Sequence, residues 1–160
     1  KKHPNTTFIA VVQAKSFGEA AVCYQTYKDL GYRKIAFSYG ANYYNELVPH
    51  PNKSMGKALG RILLITKLRE MNIILDKDSI HLLGTSFPQE FGWYKDLPYI
   101  KSIATSNPVM AAIEGKIYKE YGLYEKPIPN MNSCFDIDIN EIDMDLLSHN
   151  IQMFRKINNI

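Results

Sequence analysis

Small and polar residues follow each of four strand-like runs in the chain, and such residues are suited to binding a small polar ligand. They are Gln13; Ser38, Tyr39 and Gly40; Gly84, Thr85 and Ser86; and Ala104, Thr105, Ser106 and Asn107. A glutamine amide both donates and accepts hydrogen bonds, and glycine permits close approach of a ligand to the backbone. The carboxyl ends of parallel strands lie at one edge of a sheet, so we predict a ligand site at that edge.

Other kinds of catalytic or metal chemistry have little support. The sequence contains no glycine-rich phosphate loop, no HExxH and no GxSxG motif. The four histidines have no metal-ligand spacing, and His81 lies inside a strand-like run, which favours a core histidine. Cys23 and Cys134 are far apart, which indicates free thiols rather than a zinc site or a disulfide. The sequence therefore predicts no metal and no cofactor.

The elements that position these residues alternate between strand and helix. Apolar runs predict strands over 8–13, 34–39, 79–84 and 100–105, and helical spacing predicts helices over 16–30, from Ser54 to Met71, from Pro88, over 109–118 and over 141–157. The nearly continuous apolar run at 8–13 predicts a strand that is buried on both faces. Ser16, with Glu19 three residues later, and Ser54 are the predicted caps of the first two helices. This alternation predicts an α/β fold of parallel βα units. Four units make half of a TIM-type (βα)8 barrel and leave two exposed sheet edges. We assign residues 1–126 to the four units, and 127–160 to a linker with Pro127 and Pro129 followed by an amphipathic helix.

Two further segments carry open alternatives. Residues 41–52 are polar and aromatic and predict a functional loop. The aromatic side chains of Tyr39, Tyr43, Tyr44 and Trp93 either stack on bases or pack on the domain itself. The helix that begins at Ser54 has a predicted apolar face, and basic residues occupy much of its other surface. These basic residues are either exposed to solvent or contact phosphate groups. The apolar face is Met55, Leu59, Ile62, Leu63 and Met71, and the bases are Lys53, Lys57, Arg61, Lys67 and Arg69.

Composition limits the class of protein. The 160 residues are 46% apolar, with a net charge of +3, which suits one globular domain and makes nucleic acid possible as a partner without requiring it. Residues 136–160 carry five acids against two bases, so the carboxyl end is acidic.

We find no membrane span and no signal peptide and expect a cytoplasmic protein, in the host cytoplasm if a phage encodes it. The start, Lys1–Pro4, lacks a Met, which indicates a processed end or a cut inside a longer protein.

The strand ends also occur in a familiar order. The segments are VVQ at 11–13, AFSYG at 36–40, HLLGTSFPQE at 81–90 and IATSNP at 103–108. Over residues 8–118 the chain resembles the second half of a tRNA-guanine transglycosylase-type barrel, and it is most similar to phage-type relatives that handle 7-deazaguanine bases. The resemblance implies a queuosine-type transferase reaction in tRNA or DNA. Guanine leaves the nucleoside, and a 7-deazaguanine enters through a covalent Asp intermediate.

The resemblance also implies roles for individual residues. Gln13 would read the base, while Ser38, Tyr39 and Gly40 would line its pocket. Residues 84–90 match the turn after the third strand, and Ser106 and Asn107 precede the matching Pro108. The nucleophile position is Ala104, and alanine cannot attack a nucleoside.

Three departures from the family keep alternatives open. Ala104 marks a naturally inactive copy, a catalytic Asp that was replaced, or a shifted register. The family's zinc-binding cysteine cluster is missing. The first half of the barrel, which would hold the general base, is also missing, so we expect a second chain or an amino-terminal half as partner. The alternatives are a non-catalytic base- or nucleotide-binding subunit and an unrelated phosphate-binding barrel enzyme supported by the basic helix.

Overall fold

The computed structural model of the chain describes residues 5–85, 87–123, 125, 127 and 136–159. Ser86, Pro129, Cys134 and Lys1–Pro4 lie outside the described residues. The strands are β1 (Ile9–Val12), β2 (Lys34–Ser38), β3 (Ser79–Leu83) and β4 (Ile100–Ala104). The helices are α1 (Phe17–Asp29), α2 (Tyr43–Leu47), α3 (Lys53–Glu70), α4 (Asn107–Ile113) and α5 (Met144–Asn158), with 3₁₀ helices at Pro88–Tyr94 and Ile139–Glu141.

The four strands form one parallel sheet in the order β1-β2-β3-β4. The predicted α/β fold of parallel βα units is therefore confirmed. One row of paired residues crosses the sheet, from Val11 through Ala36 and His81 to Ser102. A register shift at Ile80/His81 leaves Lys101 of β4 unpaired in this ladder.

The main core lies on one face of the sheet. Tyr24 of α1 and Leu64 of α3 pack in one cluster with strand residues that alternate along the chain, namely Val12, Ile35, Phe37, Ile80 and Leu82. Alternate residues of a strand point to opposite faces, so these five share the helix-covered face. The other face carries the row through His81.

The face opposite the helices is less covered, which corrects two predictions. The Nδ1 atom of His81 lies 2.7 Å from Ser102 Oγ, where His81 is half-buried and Ser102 is exposed, so His81 is not a core histidine. The first strand was predicted to be buried on both faces. Instead Ile9 is 44% exposed and Val11 is half-buried, because both side chains lie on the face opposite the helices, whereas Val12 faces the helix-side core.

Side chains cap the amino ends of helices α1 and α3. Ser16 Oγ accepts the N–H of Glu19 at 3.2 Å, and the Glu19 carboxylate accepts the N–H of Lys15 at 2.9 Å, so the predicted cap of α1 is confirmed. The predicted cap of α3, Ser54, is wrong. Asn52 Oδ1 performs this function by accepting the N–H groups of Ser54 and Met55 at 3.0 and 3.1 Å.

Helix α3 buries a different face from the one that the sequence predicted. Its buried residues are Gly56, Ala58, Gly60, Arg61, Leu64, Ile65 and Leu68, and none belongs to the predicted apolar set. The reason is the close approach of α2, which leaves room only for hydrogen at two glycines. A Cβ on Gly60 would lie 2.0 Å from Tyr44 O, and one on Gly56 would lie 1.9 Å from Asn45 Oδ1.

Three more segments differ from their predictions. The predicted loop 41–52 contains α2, whose Tyr43 and Tyr44 are 4% and 2% exposed, so these tyrosines pack on the domain. The segment after Phe87 is a 3₁₀ helix rather than an α-helix. Helix α4 ends at Ile113, before Gly115, which has a φ of +65°.

The predicted final helix is confirmed as α5, and buried amides attach it to the rest of the fold. Asn150 Oδ1 accepts the N–H of Tyr118 at 2.9 Å, and Asn158 Nδ2 donates to Pro88 O at 2.9 Å. Phe154 contacts Phe91 edge-to-face at 4.9 Å between ring centroids. In the part of the chain that the structure describes, no helix is long and apolar enough to cross a membrane.

The contact between α2 and α3 provides a test of this packing. Gly60→Ala should destabilise the fold by about 2 kcal/mol or more, because its methyl group meets the backbone of Tyr44. Gly18→Ala in α1 is the matched control, since nothing lies within 4 Å of its added Cβ. That control should be neutral or stabilising by up to about 1 kcal/mol. Urea unfolding of both variants measures the difference, and equal stability would contradict the described contact.

Candidate functional site

The ends of the four strands lie together at one edge of the sheet, which we name the carboxyl rim. We define it as Gln13, residues 38–40, Gly84, Thr85 and residues 104–106. Ser38 pairs with Leu83, and Leu83 pairs with Ala104, so three of the four ends are neighbours in register. Gln13 follows Val12, whose partner is Phe37. The structure thus brings the predicted positions of all four strand ends to a single rim.

Gln13 and the end of β2 present polar groups at the rim. The Gln13 side chain is exposed and makes no hydrogen bond with the described residues. Ser38 is half-buried, and its Oγ accepts the N–H of Gly40 at 3.3 Å. Lys57 Nζ of α3 donates to Gly40 O at 3.3 Å, which adds a positive charge beside this turn.

The turn after β3 is shaped by a glycine and a tyrosine. Gly84 has a φ of +70°, and a Cβ built on it would lie 2.3 Å from Tyr39 Cδ1. The Tyr39 ring therefore lies directly on the Gly84 backbone, where only glycine fits. Tyr39 N–H also donates to Leu83 O at 3.0 Å, which extends the β2–β3 pairing into the rim.

Arg61 of α3 supports this turn from the protein interior. Its side chain is fully buried, and Nη2 donates to Gly84 O at 2.9 Å while Nη1 donates to Leu83 O at 3.4 Å. Glu90, also fully buried, accepts from Arg61 Nη2 at 2.5 Å and from Nε at 3.2 Å. The solvated-face interpretation of the basic residues is therefore wrong at Arg61, because this guanidinium is inside the fold.

Tyr94 completes the buried cluster, which we name the Arg61 cluster: Arg61, Glu90 and Tyr94. The Tyr94 hydroxyl donates to Glu90 Oε1 at 3.2 Å and accepts from Arg61 Nε at 3.3 Å. Burial raises the pKa of Tyr94, so this hydroxyl stays protonated. Burial alone would lower the pKa of Arg61, but the adjacent Tyr94 and Glu90 outweigh it and raise that pKa. Arg61 is thus held as a cation, hydrogen-bonded to the Glu90 carboxyl group beneath the rim.

Some side chains at and beside the end of β4 are buried, and others are exposed. Thr85 is buried, and its Oγ1 lies 3.0 Å from Thr105 Oγ1, which also accepts the N–H of Asn107 at 3.0 Å. Asn107 is buried, and its Oδ1 accepts a hydrogen bond from the Tyr118 hydroxyl, so this amide oxygen is used within the fold. Ser106 is the exposed cap residue of α4, without a side-chain capping bond.

Ala104 contributes only a methyl group to the rim, and it is exposed. A general acid, base or nucleophile needs an ionisable or hydroxyl group, so position 104 has no such role in this chain. Among the described residues, no group of three or more His, Cys, Asp or Glu side chains is placed to hold a metal ion. The rim can bind through amide, hydroxyl and backbone groups.

The sequence interpretation missed the Arg61 cluster, although one signal pointed to it. Gly56 and Gly60 lie four residues apart on one face of α3, and these two small residues mark a buried face, to which Leu64 and the adjacent Arg61 also belong. Comparison with known proteins adds no assignment of these residues: no protein-family model, curated protein or solved structure matches the chain significantly.

The Arg61–Glu90 pair should dominate the stability of the rim. Arg61→Met should cost about 3–5 kcal/mol, because it leaves the Glu90 carboxylate buried without its cation. The double variant Arg61→Met/Glu90→Leu should recover much of this loss, since it removes both charges. Arg69→Met, on the same helix, is the control, because its pair with Asp76 is exposed and screened by solvent.

Chemical unfolding of the single, double and control variants measures these differences in free energy. If Arg61→Met is no more destabilising than Arg69→Met, the pair does not support the rim.

Proposed function

We propose that the chain recognises guanine or a 7-deazaguanine base at its carboxyl rim, as the carboxyl-terminal half of a nucleobase-exchange protein that acts on tRNA or DNA. The observation that carries this proposal is the exposed Gln13 amide, which has no hydrogen-bond partner among the described residues and lies at the same rim as the ends of β2, β3 and β4. An amide that both donates and accepts matches the edge of a guanine-type base.

The neighbouring groups suit a planar, polar ligand. Exposed Gly40 gives access to backbone groups, and the ring of Tyr39 provides an aromatic wall against Gly84. Ser38 adds a half-buried hydroxyl. The Arg61 cluster holds the Gly84 carbonyl in place, so this part of the rim is preorganised before a ligand arrives.

The sheet supports the half-barrel part of the proposal. Its strands are arranged in chain order, its clustered core lies on the helix face, and β1 and β4 are its edges. Parallel sheets are ordinarily covered on both faces, and closure into a barrel removes both edges. A second chain or an amino-terminal half would supply the remaining strands and the general base.

The exchange reaction defines what position 104 must provide. An Asp carboxylate attacks C1′ of the nucleoside, the bond from C1′ to the guanine nitrogen breaks, and guanine leaves with a proton. A nitrogen of the incoming 7-deazaguanine then attacks C1′, breaks the bond to Asp and loses its proton. Ala104 cannot form this intermediate. Exchange therefore requires Asp in place of Ala104, or a carboxylate from the completing half.

The exposed methyl group of Ala104 favours a second candidate, a non-catalytic base-binding subunit. The third reading, an unrelated phosphate-binding barrel enzyme, loses part of its basis, because Arg61 is buried against Glu90 and Arg69 is paired with Asp76. We therefore retain exchange and base binding as the two functions to separate.

Base binding can be tested directly by titrating the chain with 7-deazaguanine in a calorimeter. Gln13→Ala should weaken binding about tenfold or more, because the loss of a paired amide corresponds to about 1.4 kcal/mol or more. Gln25→Ala is the matched control, since this exposed glutamine bonds to Asp29 within α1. Binding that Gln13→Ala leaves unchanged would overturn the role of Gln13 at the rim.

The two candidate functions differ in the effect of restoring a carboxylate. Ala104→Asp, assembled with the chain that completes the barrel, should form a covalent adduct with guanine-containing tRNA or DNA, visible on a denaturing gel. Ser102→Asp is the control, because this exposed residue lies on the same strand without occupying the nucleophile position. Base binding with no adduct in Ala104→Asp would favour the non-catalytic subunit.

A further inference from the structure

A concave site lies at the end of the sheet opposite the carboxyl rim. A cavity of about 510 Å³ opens at the amino ends of β2 and β3. Its lining includes Lys28 and Tyr32, Arg33 just before β2, and Lys77 and Ser79 at the start of β3. Its volume lies within the range of small-molecule sites. We name it the amino-end cavity.

The cations that line this cavity differ in whether they already have a partner. Lys28 Nζ is committed to Asp78 Oδ2 at 2.9 Å and to Ile73 O at 3.0 Å. Arg33 and Lys77 are exposed, and neither has an acidic partner among the described residues. The lining thus has three cations and one carboxylate, and two of the cations remain available to a ligand.

Asp78 is the one lining group that would repel an anion, but its charge is already compensated. Its Oδ2 accepts hydrogen bonds from Tyr24 OH at 2.8 Å, from Leu75 N at 3.0 Å and from Lys28. Partial burial would raise the pKa of Asp78, yet these bonds together lower it, so the carboxylate stays ionised and bound to the protein. The net charge that the cavity offers is therefore positive.

Aromatic surface accompanies the free cations. Tyr32 is 40% exposed, and its ring contacts that of Tyr27 edge-to-face, with 5.6 Å between the ring centroids. The side chain of Ser79 is half-buried in the same lining and adds a hydroxyl. Guanidinium, ammonium and hydroxyl groups together bind phosphate oxygens, and an exposed tyrosine ring offers a stacking surface for a base.

We propose that the amino-end cavity binds a phosphate-bearing ligand of about nucleotide size, with Arg33 and Lys77 contacting the phosphate. This site is separate from the carboxyl rim and does not depend on base recognition there. The phosphate comes either from a free nucleotide or from the backbone of a nucleic acid, and both sources present the same group to the two cations.

The test titrates the intact chain with inorganic phosphate, with guanosine monophosphate and with a short single-stranded DNA, at low salt and at moderate salt. We expect saturable binding of guanosine monophosphate that weakens with added salt. Arg33→Gln/Lys77→Gln should reduce its affinity about tenfold or more, because both charge-assisted contacts are lost.

The matched control is Arg155→Gln/Lys156→Gln, which removes the same two residue types from an exposed position on α5. It should leave binding unchanged. An equal loss of affinity in this control would show attraction by overall charge alone and would overturn the site. The site would also be overturned if neither inorganic phosphate nor guanosine monophosphate bound saturably.

The DNA titration distinguishes the two sources. DNA that binds more tightly than the nucleotide and loses affinity in Arg33→Gln/Lys77→Gln assigns the site to a nucleic-acid backbone, whereas tighter binding of the nucleotide assigns it to a free ligand. Titration with 7-deazaguanine reports separately on the carboxyl rim, so a failure of one site is distinguishable from a failure of the other.

Discussion

The buried pair of Arg61 and Glu90 is the interaction on which the architecture of the rim depends. Two full charges leave water when this pair forms, and that cost is offset only because each charge is met by the other and by further hydrogen bonds. The same guanidinium binds the carbonyls of Leu83 and Gly84. One side chain of α3 therefore links a helix, the end of β3 and the following 3₁₀ helix.

The parallel order of the strands determines what this rim can display. Because the strands are parallel, their carboxyl ends lie at the same end of the sheet, so Gln13, Ser38 and Ala104 lie along one rim although they are distant in sequence. The opposite edge gathers the residues that precede the strands, among them Arg33 and Lys77. The two ends of the strands differ in chemistry. The carboxyl rim offers amide and backbone groups, and the amino-end cavity offers cations without acidic partners among the described residues.

Close packing is the second constraint, and it explains why α3 presents the Arg61 side chain inward. Helix α2 approaches α3 so closely that Gly56 and Gly60 have no room for a side chain. This approach sets the rotation of α3 about its axis and places Arg61 and Leu64 on the buried side. The apolar face inferred from periodicity alone was wrong because the glycines, rather than the larger residues, mark the contact.

The strands, the parallel α/β class, the cap at Ser16 and the grouping of polar strand ends could be predicted from the sequence, because they depend on local periodicity and on chain order. The burial of Arg61, the hydrogen bond between Asn107 and Tyr118 and the cavity at the amino ends became visible only in the folded chain. Those outcomes depend on which distant groups meet in space. In a sequence, a charged residue on a helix is expected to face solvent. The burial of Arg61 is explained only by its contact with Glu90, which the sequence does not indicate.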